Sequence, residues 1–366
     1  MNLRVSQKFD WEKLQKFCSD VFIKAGVKRE DAETVAESLI QADLRGIDSH
    51  GVVRTDIYIK RIEKNMMNPF AEISIEEETD ATALVNGHNQ LGAIVGSKAL
   101  DLALHKAKEK GAAIVGVKGS NHFGTGAFYV SKAIEKDMIL LVLSNASQTM
   151  PPTGGVRPFI GTNPLAIGVP AGEEEAFILD MATSVVARGK IIVAAQKGED
   201  IPLGWAIDKH GNPTTNAQDA LEGSVLPLGG PKGYGISMFI DILAGVLTGA
   251  GFGRYVNNMY ENWNDPQNVG HFFLAIDINS FMPIETFKKR IDMYLREIKA
   301  EPRAIGVDKI YIPGEIESFK VKERKKNGIE LPSKVVEELR LIGDQYSVNL
   351  MNAIISEADQ HKEALK

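Results

Sequence analysis

Apolar positions recur along this chain with two different periods, and the period changes from one segment to the next. Near both ends they follow the three- and four-residue spacing of amphipathic helices. That spacing predicts helices at about 10–25, 29–44, 53–64, 285–299 and 333–357. Gly46 follows the second of these helices as a natural stop signal.

The middle of the chain carries short apolar runs bounded by glycine and turn residues, a pattern that is typical of buried strands. Strands are predicted at 73–87 (two strands around a turn), 112–117, 138–147, 162–170, 176–180 and 271–278, with a short one at 309–315. Helices are predicted between the strands at 90–110, 127–136, 185–195 and 236–247. This order predicts an α/β domain over 76–299 and a helical domain formed from both termini, 1–75 with 300–366.

Composition narrows the class of protein. A chain of 366 residues with 44% hydrophobic and 25% charged residues is globular and long enough for two domains. The net charge of −6 gives no reason to expect a nucleic-acid partner. Cys18 is the single cysteine, which excludes an intramolecular disulfide and fits a reducing compartment. No apolar run approaches the roughly 18 residues of a membrane span, and the first residues lack the apolar core of a signal peptide. We therefore expect a cytoplasmic protein without a membrane partner.

The turn that follows the apolar run 112–117 carries the first candidate chemistry. Its sequence, GSNHFGTG (119–126), places His122 between glycine turns. An imidazole presented by an exposed loop can move protons near neutral pH. The alternative is a turn histidine that only caps a strand.

The segment RGIDSHGVVR (45–54) carries the second group of candidate catalytic residues. Ser49 and His50 are adjacent, and Arg54 lies four residues beyond His50, so the two side chains share a face if a helix begins near His50. Arginine grips a carboxylate with two parallel hydrogen bonds, and a histidine beside it suits a small carboxylate substrate. The alternative is an ion pair between Arg54 and Asp48 or Asp56, with His50 as a helix cap.

Two further segments are candidates for anion binding. In LDMATSVVARGK (179–190), Asp180 ends a predicted strand and residues 183–184 open a predicted helix; the alternative is an ordinary helix cap. In GPKGYG (230–235), Lys232 lies in a glycine-rich turn that could approach a phosphate. The alternative there is an ordinary surface lysine.

Motifs for several other chemistries do not occur in this sequence. GTGAFY begins like a dinucleotide fingerprint, but Tyr129 occupies the third glycine position and no acidic residue is suitably placed downstream. HxxxH, CxxC and GxSxG patterns are all missing. The sequence therefore predicts no metal site, and it offers no ribose-reading residue to separate NAD from NADP.

Four segments taken in order resemble one family: RGIDSHGVVR, GTNPLAIGVP, LDMATSVVARGK and GPKGYGISMFIDILAGVLTG. They are similar to the malate/L-lactate dehydrogenase family over roughly residues 10–320. The resemblance implies a non-Rossmann NAD(P)-binding domain with a mixed sheet, which explains the missing fingerprint, and it implies homodimers. The family includes malate, lactate, sulfolactate, diketogulonate and ureidoglycolate enzymes. The stretch 230–260 and IYIPGE (310–315) are most similar to the ureidoglycolate members, whereas SNHFG around His122 is the commoner pattern of malate and lactate members.

The resemblance also implies roles for individual residues. Catalytic roles fall to His122, His50, Ser49 and Asp180, and substrate binding falls to Arg54. Contacts with the cofactor, NAD with NADP not excluded, are implied for Gly124, Ser144, Ala146, Asp180, Met181, Ala182, Lys232, Gly233, Pro313, Gly314 and Glu315. His122 matches the proton acceptor of the family, while His50 is the acid/base in some members. We favour His122, because the nearby Arg54 cation lowers the pKa of His50.

The function expected from the resemblance is NAD-dependent oxidation of ureidoglycolate to oxalurate, a step of allantoin and purine nitrogen breakdown. The alternative within the family is a malate, L-lactate or sulfolactate type of 2-hydroxy acid dehydrogenase. The alternative from another class is a noncatalytic protein that binds small anions. The presence of both His50 and His122 favours an enzyme, since an anion-binding protein has no need of proton-moving side chains.

Overall fold

The structure is a computed structural model that describes residues 7–355. In chain order its elements are β1 (Gln7–Phe9), α1 (Trp11–Lys24), α2 (Arg29–Leu44), α3 (Thr55–Glu63), β2 (Ser74–Glu78), β3 (Thr82–Asn86), α4 (Gly92–Lys110), β4 (Ala112–Ser120), α5 (Gly126–Ile134), β5 (Met138–Ser144), β6 (Leu165–Val169), β7 (Phe177–Met181), α6 (Arg188–Lys197), β8 (Ala206–Ile207), β9 (Pro213–Thr214), α7 (Ala217–Glu222), β10 (Ser224–Val225), α8 (Pro231–Asp241), β11 (Val269–Asp277), α9 (Ile284–Ala300), α10 (Glu315–Asn327), β12 (Ile329–Leu331) and α11 (Ser333–Tyr346). A π-helical turn, Ile242–Val246, extends α8.

The chain divides into two compact units. Residues 71–298 form the first, which we call the sheet unit. Residues 7–70 together with 299–355 form the second, which we call the helical unit.

The sheet unit is built on a seven-stranded mixed sheet with the strand order β2-β3-β4-β11-β5-β6-β7. Strands β3 and β4 are parallel, and every other neighbouring pair is antiparallel. The central strand is β11, which comes from late in the sequence and lies between β4 and β5. Its side chains are packed against helices on both faces of the sheet, which explains its nearly continuous apolar sequence, HFFLAIDI.

Helices cover both faces of this sheet. The apolar side chains on one face pack with those of α4 and α5; they include Val115, Val117, Leu140, Val142, Phe273 and, from the helices, Val95, Ala99 and Tyr129. On the other face, Leu143 and Phe272 pack with Ile240 of α8. Burial of each large apolar side chain contributes about 1.5–3 kcal/mol, so the sheet with its helices is the main core of this unit.

The helical unit joins segments from both ends of the sequence. Strand β1 pairs antiparallel with β12, so Gln7 lies opposite Leu331. Helix α1 begins after Asp10, whose carboxylate accepts a hydrogen bond from the backbone N of Lys13 at 2.9 Å. The helices bury the stripes expected from the sequence, with side chains such as Leu14, Phe22, Leu39 and Ile40 almost inaccessible to water.

The predicted fold class, α/β with a mixed sheet and helices from both termini, is confirmed. Two predicted elements are wrong. The short strand predicted within 309–315 is absent, since residues 309–312 have no regular structure; the turn predicted at its end lies at 313–314, and α10 begins at Glu315. Helix α11 ends at Tyr346 and not at 357, because Ser347 adopts a left-handed conformation and Val348 donates to the carbonyl of Gly343. The final residues of that prediction lie outside the described part of the chain.

Helix α8 begins at Pro231, five residues before its predicted start at 236. Gly230 precedes it with a positive φ of 64°, and proline is well suited to the first helical position. Helix α10, which carries a largely polar sequence, was missed altogether. Among the described residues, no helix is both long and apolar enough to cross a membrane.

Candidate active site

Three strands of the sheet unit bring candidate residues to one edge of the sheet. β4 ends at Ser120 and β5 ends at Ser144, and β11 lies antiparallel between them. In the register, Val269 pairs with Ser120, and His271 pairs with Ser144. The loops after β4 and β5 therefore leave the sheet side by side; we call this place the site edge.

Strands β6 and β7 extend the site edge. Leu165, at the start of β6, pairs with Leu143 on one side and with Met181, the last residue of β7, on the other. His122, Ala146 and the 180–182 segment are far apart in sequence, yet each lies at or just after a strand end at this edge. The sheet thus brings together the residues proposed from the sequence for proton transfer and for cofactor contact.

The His122 loop is fixed by its neighbours. The side-chain amide of Asn121 donates to Asn89 Oδ1 at 2.9 Å and to the carbonyl of Gln90 at 3.0 Å. The backbone N of His122 donates to Gln267 Oε1 at 3.0 Å. Gly92 begins α4 so close to this loop that a Cβ there would lie 2.3 Å from the carbonyl oxygen of His122. The side chain of His122 is half-buried. The hydrogen bond to Gln267 and the close packing of Gly92 fix the backbone that carries its imidazole.

A second histidine lies inside the sheet beneath this loop, and sequence reasoning missed it. The ring of His271 is fully buried, with Nε2 2.8 Å from Ser120 Oγ and Nδ1 2.9 Å from Ser144 Oγ. It also stacks on Phe123, with ring centroids 4.3 Å apart and an interplanar angle of 7°. Burial lowers the pKa of His271 to about 3, so the ring is neutral. A histidine within the apolar run 269–276 was the available signal, because a buried imidazole needs partners.

Asp180 connects the end of β7 to the helix that follows the His122 loop. Its Oδ2 accepts a hydrogen bond from the backbone N of Ala127, in the first turn of α5, at 2.8 Å. A carboxylate is stabilised at this position by the unpaired N–H groups of the helix end. The predicted helix opening at 183–184 is wrong: α6 begins at Arg188, and Ser184 Oγ donates to the carbonyl of Val186.

The segment after β5 is held from several sides. Asn145 donates to the carbonyl of Gly251 at 2.6 Å and accepts from the backbone N of Gly270 at 2.9 Å. The backbone N of Ala146 donates to Asn163 Oδ1 at 2.9 Å. The hydroxyl of Ser144 is used inside the protein, by His271. Any contact of Ser144 with a cofactor would therefore go through its backbone.

Lys232 lies in the first turn of α8 and is exposed. Asn163 Nδ2 donates to the carbonyl of Ser237 at 2.9 Å, which ties α8 to the segment before β6. The backbone N of Leu228 donates to the carbonyl of Thr183 at 2.9 Å, which ties the turn before α8 to the segment after β7. Lys232 and Gly233 are thus held near residues 180–182.

The Ser49–Arg54 segment belongs to the helical unit. No α-helix begins at His50; instead 3₁₀ turns at Asp48–His50 and Val52–Arg54 flank Gly51. Ser49 Oγ lies 2.9 Å from His50 Nδ1, and Arg54 Nε donates to the carbonyl of Ser49 at 2.7 Å. The structure therefore groups the three predicted side chains, but by two tight turns and not by a helix face.

The alternative partners proposed for Arg54 bind other cations. Asp48 pairs with Arg324, which also donates to the carbonyl of Asp43. Asp56 pairs with Lys60 at 2.6 Å. Both carboxylates named in the predicted alternative are thus engaged by other cations.

A buried carboxyl group supports the segment from below. Asp43 Oδ2 accepts a hydrogen bond from the backbone N of Val52 at 2.8 Å. Gly51 packs so tightly on the same carboxyl that a Cβ there would lie 1.8 Å from Asp43 Oδ1. Burial raises the pKa of Asp43 well above its ordinary value. This carboxyl fixes the residues between His50 and Arg54.

The surroundings of His50 keep it neutral at physiological pH. Burial lowers its pKa to about 4, and the positive charge of Arg54 adds to the effect. The pKa of His50 is thus lowered, as the sequence predicted, but burial and not the Arg54 cation is the larger cause of the shift. A neutral imidazole can accept or donate a hydrogen bond to a substrate hydroxyl without carrying charge.

The Pro313–Glu315 turn also lies in the helical unit. Gly314 has a φ of 92° and precedes α10. The buried Glu315 carboxylate pairs with Lys309 at 2.9 Å and Lys299 at 3.3 Å and accepts from the backbone N of Ile312. Because that carboxylate is already occupied, a cofactor would meet this turn through its backbone. Throughout residues 7–355, no three His, Cys, Asp or Glu side chains are grouped to hold a metal.

Comparison with known proteins places these residues in context. The profile of the family described as malate/L-lactate dehydrogenase matches residues 9–340. The Methanothermus fervidus protein named malate/(S)-sulfolactate dehydrogenase is 43% identical over 89% of this chain and 94% of its own length. The Escherichia coli protein named ureidoglycolate dehydrogenase (NAD(+)) is 36% identical over 91% of this chain and 95% of its own length.

A solved structure shares the whole fold. The sulfolactate dehydrogenase from Methanocaldococcus jannaschii superimposes with a TM-score of 0.89 at 40% sequence identity. The match covers 95% of this chain and 99% of that one. Similarity of this extent includes both the sheet unit and the helical unit.

Proposed function

Because the chain belongs to the malate/L-lactate dehydrogenase family, we propose that it oxidises the hydroxyl-bearing carbon of malate or sulfolactate, with a nicotinamide dinucleotide as hydride acceptor. The observation that carries this choice is the 43% identity to the malate/(S)-sulfolactate dehydrogenase, against 36% to the ureidoglycolate dehydrogenase. Both proteins are matched over about nine tenths of their length, so the difference is not one of coverage. SNHFG around His122 points the same way.

In this proposal Arg54 and His50 bind the substrate. The guanidinium of Arg54 pairs with the carboxylate next to the hydroxyl-bearing carbon. His50, kept neutral by burial and oriented by Ser49, hydrogen-bonds the substrate. The Arg54 Nε bond to the Ser49 carbonyl fixes the direction of the guanidinium before any substrate arrives.

The sheet unit supplies the proton acceptor. His122 stands on a held loop and takes the proton of the substrate hydroxyl as the carbon–hydrogen bond breaks. Asp180, at the adjacent strand end, holds the first turn of α5 directly after that loop.

Residues at the site edge fit a dinucleotide. The hydroxyls Thr125 Oγ1 and Thr183 Oγ1 are buried without a hydrogen-bond partner among the described residues, a costly state that a polar ligand would relieve. Lys232 offers an exposed cation for a pyrophosphate. We assign cofactor contacts to Gly124, Ser144, Ala146, Met181, Ala182, Lys232, Gly233 and the 313–315 turn. When bound, the cofactor supplies the hydride acceptor.

A substrate panel tests the proposal. Purified protein is mixed with NAD or NADP and with L-malate, sulfolactate, L-lactate or ureidoglycolate, and the absorbance of the reduced cofactor is followed. We expect the highest kcat/KM with malate or sulfolactate. A higher kcat/KM with ureidoglycolate would establish the second candidate, which the sequence resemblance over 230–260 and 310–315 favours.

The same assay separates an enzyme from an anion-binding protein. The noncatalytic alternative keeps Arg54 and Lys232, so it binds hydroxy acids and dinucleotides. It reduces no cofactor with any acid of the panel. Calorimetric binding without turnover in all combinations would support that alternative and reject the enzyme.

We also propose that the chain forms homodimers through the outer face of α8. This helix and its π-helical extension expose apolar side chains, namely Ile236, Met238, Phe239, Ile242, Val246 and Leu247. A contiguous apolar face of this kind is typical of a surface that a partner covers. The resemblance to a family of homodimers makes a second copy of this chain the partner.

Light scattering on a sizing column tests the dimer. We expect twice the mass of the chain for the wild type and a monomer for Phe239→Asp, whose side chain is 57% exposed. Phe281→Asp is the control, since Phe281 is 76% exposed and lies on another part of the sheet unit. A monomeric wild type, or equal masses for both variants, would contradict the proposed face.

A further inference from the structure

The segment that leads into β11 and the first residues of that strand lie against the His122 loop. Gln267, almost fully buried, accepts the backbone N–H of His122 at its Oε1, 3.0 Å away. The two residues are separated by 145 positions in sequence. This hydrogen bond satisfies the backbone N–H of His122.

His271 supports the same loop from beneath. It binds Ser120, two residues before His122, and its ring stacks on Phe123, the residue immediately after. Its other nitrogen binds Ser144, which ends the strand leading to Ala146. Phe123 is fixed further by Tyr129, whose ring stacks on it at 4.8 Å and whose hydroxyl donates to its carbonyl.

We infer that Gln267 and His271 are positioning residues for proton transfer, which hold the His122 imidazole where the substrate hydroxyl must meet it. The inference rests on the proposed role of His122 as proton acceptor. Neither residue is assigned to contact substrate or cofactor. Each acts on a different part of the loop: Gln267 on the backbone of His122 itself, and His271 on the residues on either side.

The physical reason is the steep dependence of proton transfer on distance and direction. A side chain on a loop has no helix or strand ladder to fix its backbone, so it depends on contacts made from outside. Displacement of a reacting group by about 1 Å can cost as much as 10²-fold in rate. A neutral, fully buried His271 provides a fixed support because its ring carries no charge that would draw in water, and burial keeps its pKa at about 3.

The first experiment compares Gln267→Met with Gln267→Glu. Methionine has a similar shape but no acceptor for the His122 N–H, whereas glutamate keeps a carbonyl or carboxylate oxygen at the same place. We expect kcat to fall about tenfold in Gln267→Met, with KM and the Kd of NADH within about twofold. We expect Gln267→Glu to recover kcat to within about threefold of the wild type.

Two more readouts separate positioning from simple loss of structure. Kinetic values are divided by the number of NADH sites titrated, so that unfolded protein does not count. The solvent deuterium isotope effect on kcat is measured because a misplaced acceptor slows proton transfer and raises that effect. A merely structural residue lowers the number of sites or the melting temperature and leaves the isotope effect per site unchanged.

The second experiment uses His271→Phe, which keeps a ring to stack on Phe123 but loses both serine contacts. Phe273→Leu is the matched control, two residues along the same strand and equally buried. We expect both variants to melt at lower temperature, but only His271→Phe to lower kcat per site and raise the isotope effect. If His271→Phe fails to fold, the comparison of Gln267→Met with Gln267→Glu tests the inference.

The outcomes also separate this inference from the proposed function. His122→Gln is measured in parallel: if it retains wild-type kcat, the proton-acceptor role itself is wrong. If His122→Gln loses activity but Gln267→Met retains kcat and isotope effect, the acceptor role stands and the positioning inference is overturned. Loss of kcat in Gln267→Met without recovery in Gln267→Glu would also overturn it, since the lost acceptor would not be the cause.

Discussion

The acidic side of the pH profile decides which histidine accepts the proton. The two candidates lie in different units of the chain. Burial, with help from the Arg54 charge, lowers its pKa to about 4. A general base must be unprotonated to work, so the pH at which activity is lost reports the pKa of the base.

The size of the difference follows from that shift. If His50 is the base, only about a tenth of it is protonated at pH 5, and kcat/KM is almost the same at pH 5 as at pH 7.5. A base with the ordinary histidine pKa of about 6.5 is almost entirely protonated at pH 5, and kcat/KM falls roughly 30-fold. Because we assign the proton acceptor to His122 and not to His50, we expect kcat/KM to fall between pH 7.5 and pH 5.

The assay measures kcat/KM from pH 5 to 9 for the wild type, His122→Gln and His50→Gln, with circular dichroism at each pH as a control for folding. We expect His122→Gln to lose about 10²–10⁴ in kcat and to lose the acidic limb as well. We expect His50→Gln to keep the limb while kcat and KM change together, as suits an orienting residue. A wild-type profile that is flat down to pH 5, or a limb that survives in His122→Gln and vanishes in His50→Gln, would refute the assignment.

Three more variants test the rest of the site and the fold. Arg54→Lys is expected to raise KM about tenfold, because lysine loses both the two-pronged grip and the Nε bond to the Ser49 carbonyl; unchanged KM and kcat would reject the role. Lys232→Ala is expected to weaken NADH binding about fivefold in a fluorescence titration, with the KM for the acid unchanged. Equal NADH affinity in the variant and the wild type would make Lys232 an ordinary surface lysine. Asp292→Ala is expected to cost about 2–3 kcal/mol in urea unfolding at pH 7, since its carboxylate accepts the backbone N–H groups of residues 172–174. Burial alone would raise the pKa of Asp292, but those hydrogen bonds outweigh burial, so the pKa is lowered. The stability that the carboxylate contributes is therefore present at neutral pH and is lost on acidification. A difference in unfolding free energy between variant and wild type that does not shrink at low pH would contradict the account.

Local pattern was enough for most elements and for the identity of most candidate residues. The predicted helix over 29–44 and the strands around 112–117 and 138–147 are present because their apolar spacing is a property of the segment itself. His50, Arg54, His122 and Lys232 were found because residue type and neighbouring glycines can be read directly from the sequence. Element ends were less well determined: the start of α8 and the end of α11 depend on single residues with left-handed backbone at 230 and 347.

Only the tertiary structure decided which of these residues meet. Strand order is not a local property, so no pattern in the sequence indicated that β11 would lie between β4 and β5. That insertion places His271 between two serines, one of them 151 positions away in sequence, and brings Gln267 to the backbone of His122. Likewise the sequence named Arg54 as the neighbour that lowers the pKa of His50, but burial, which is the larger cause, exists only once the chain has folded. Periodicity records what each segment prefers, whereas contacts between distant segments are set by how the whole sheet and its helices pack.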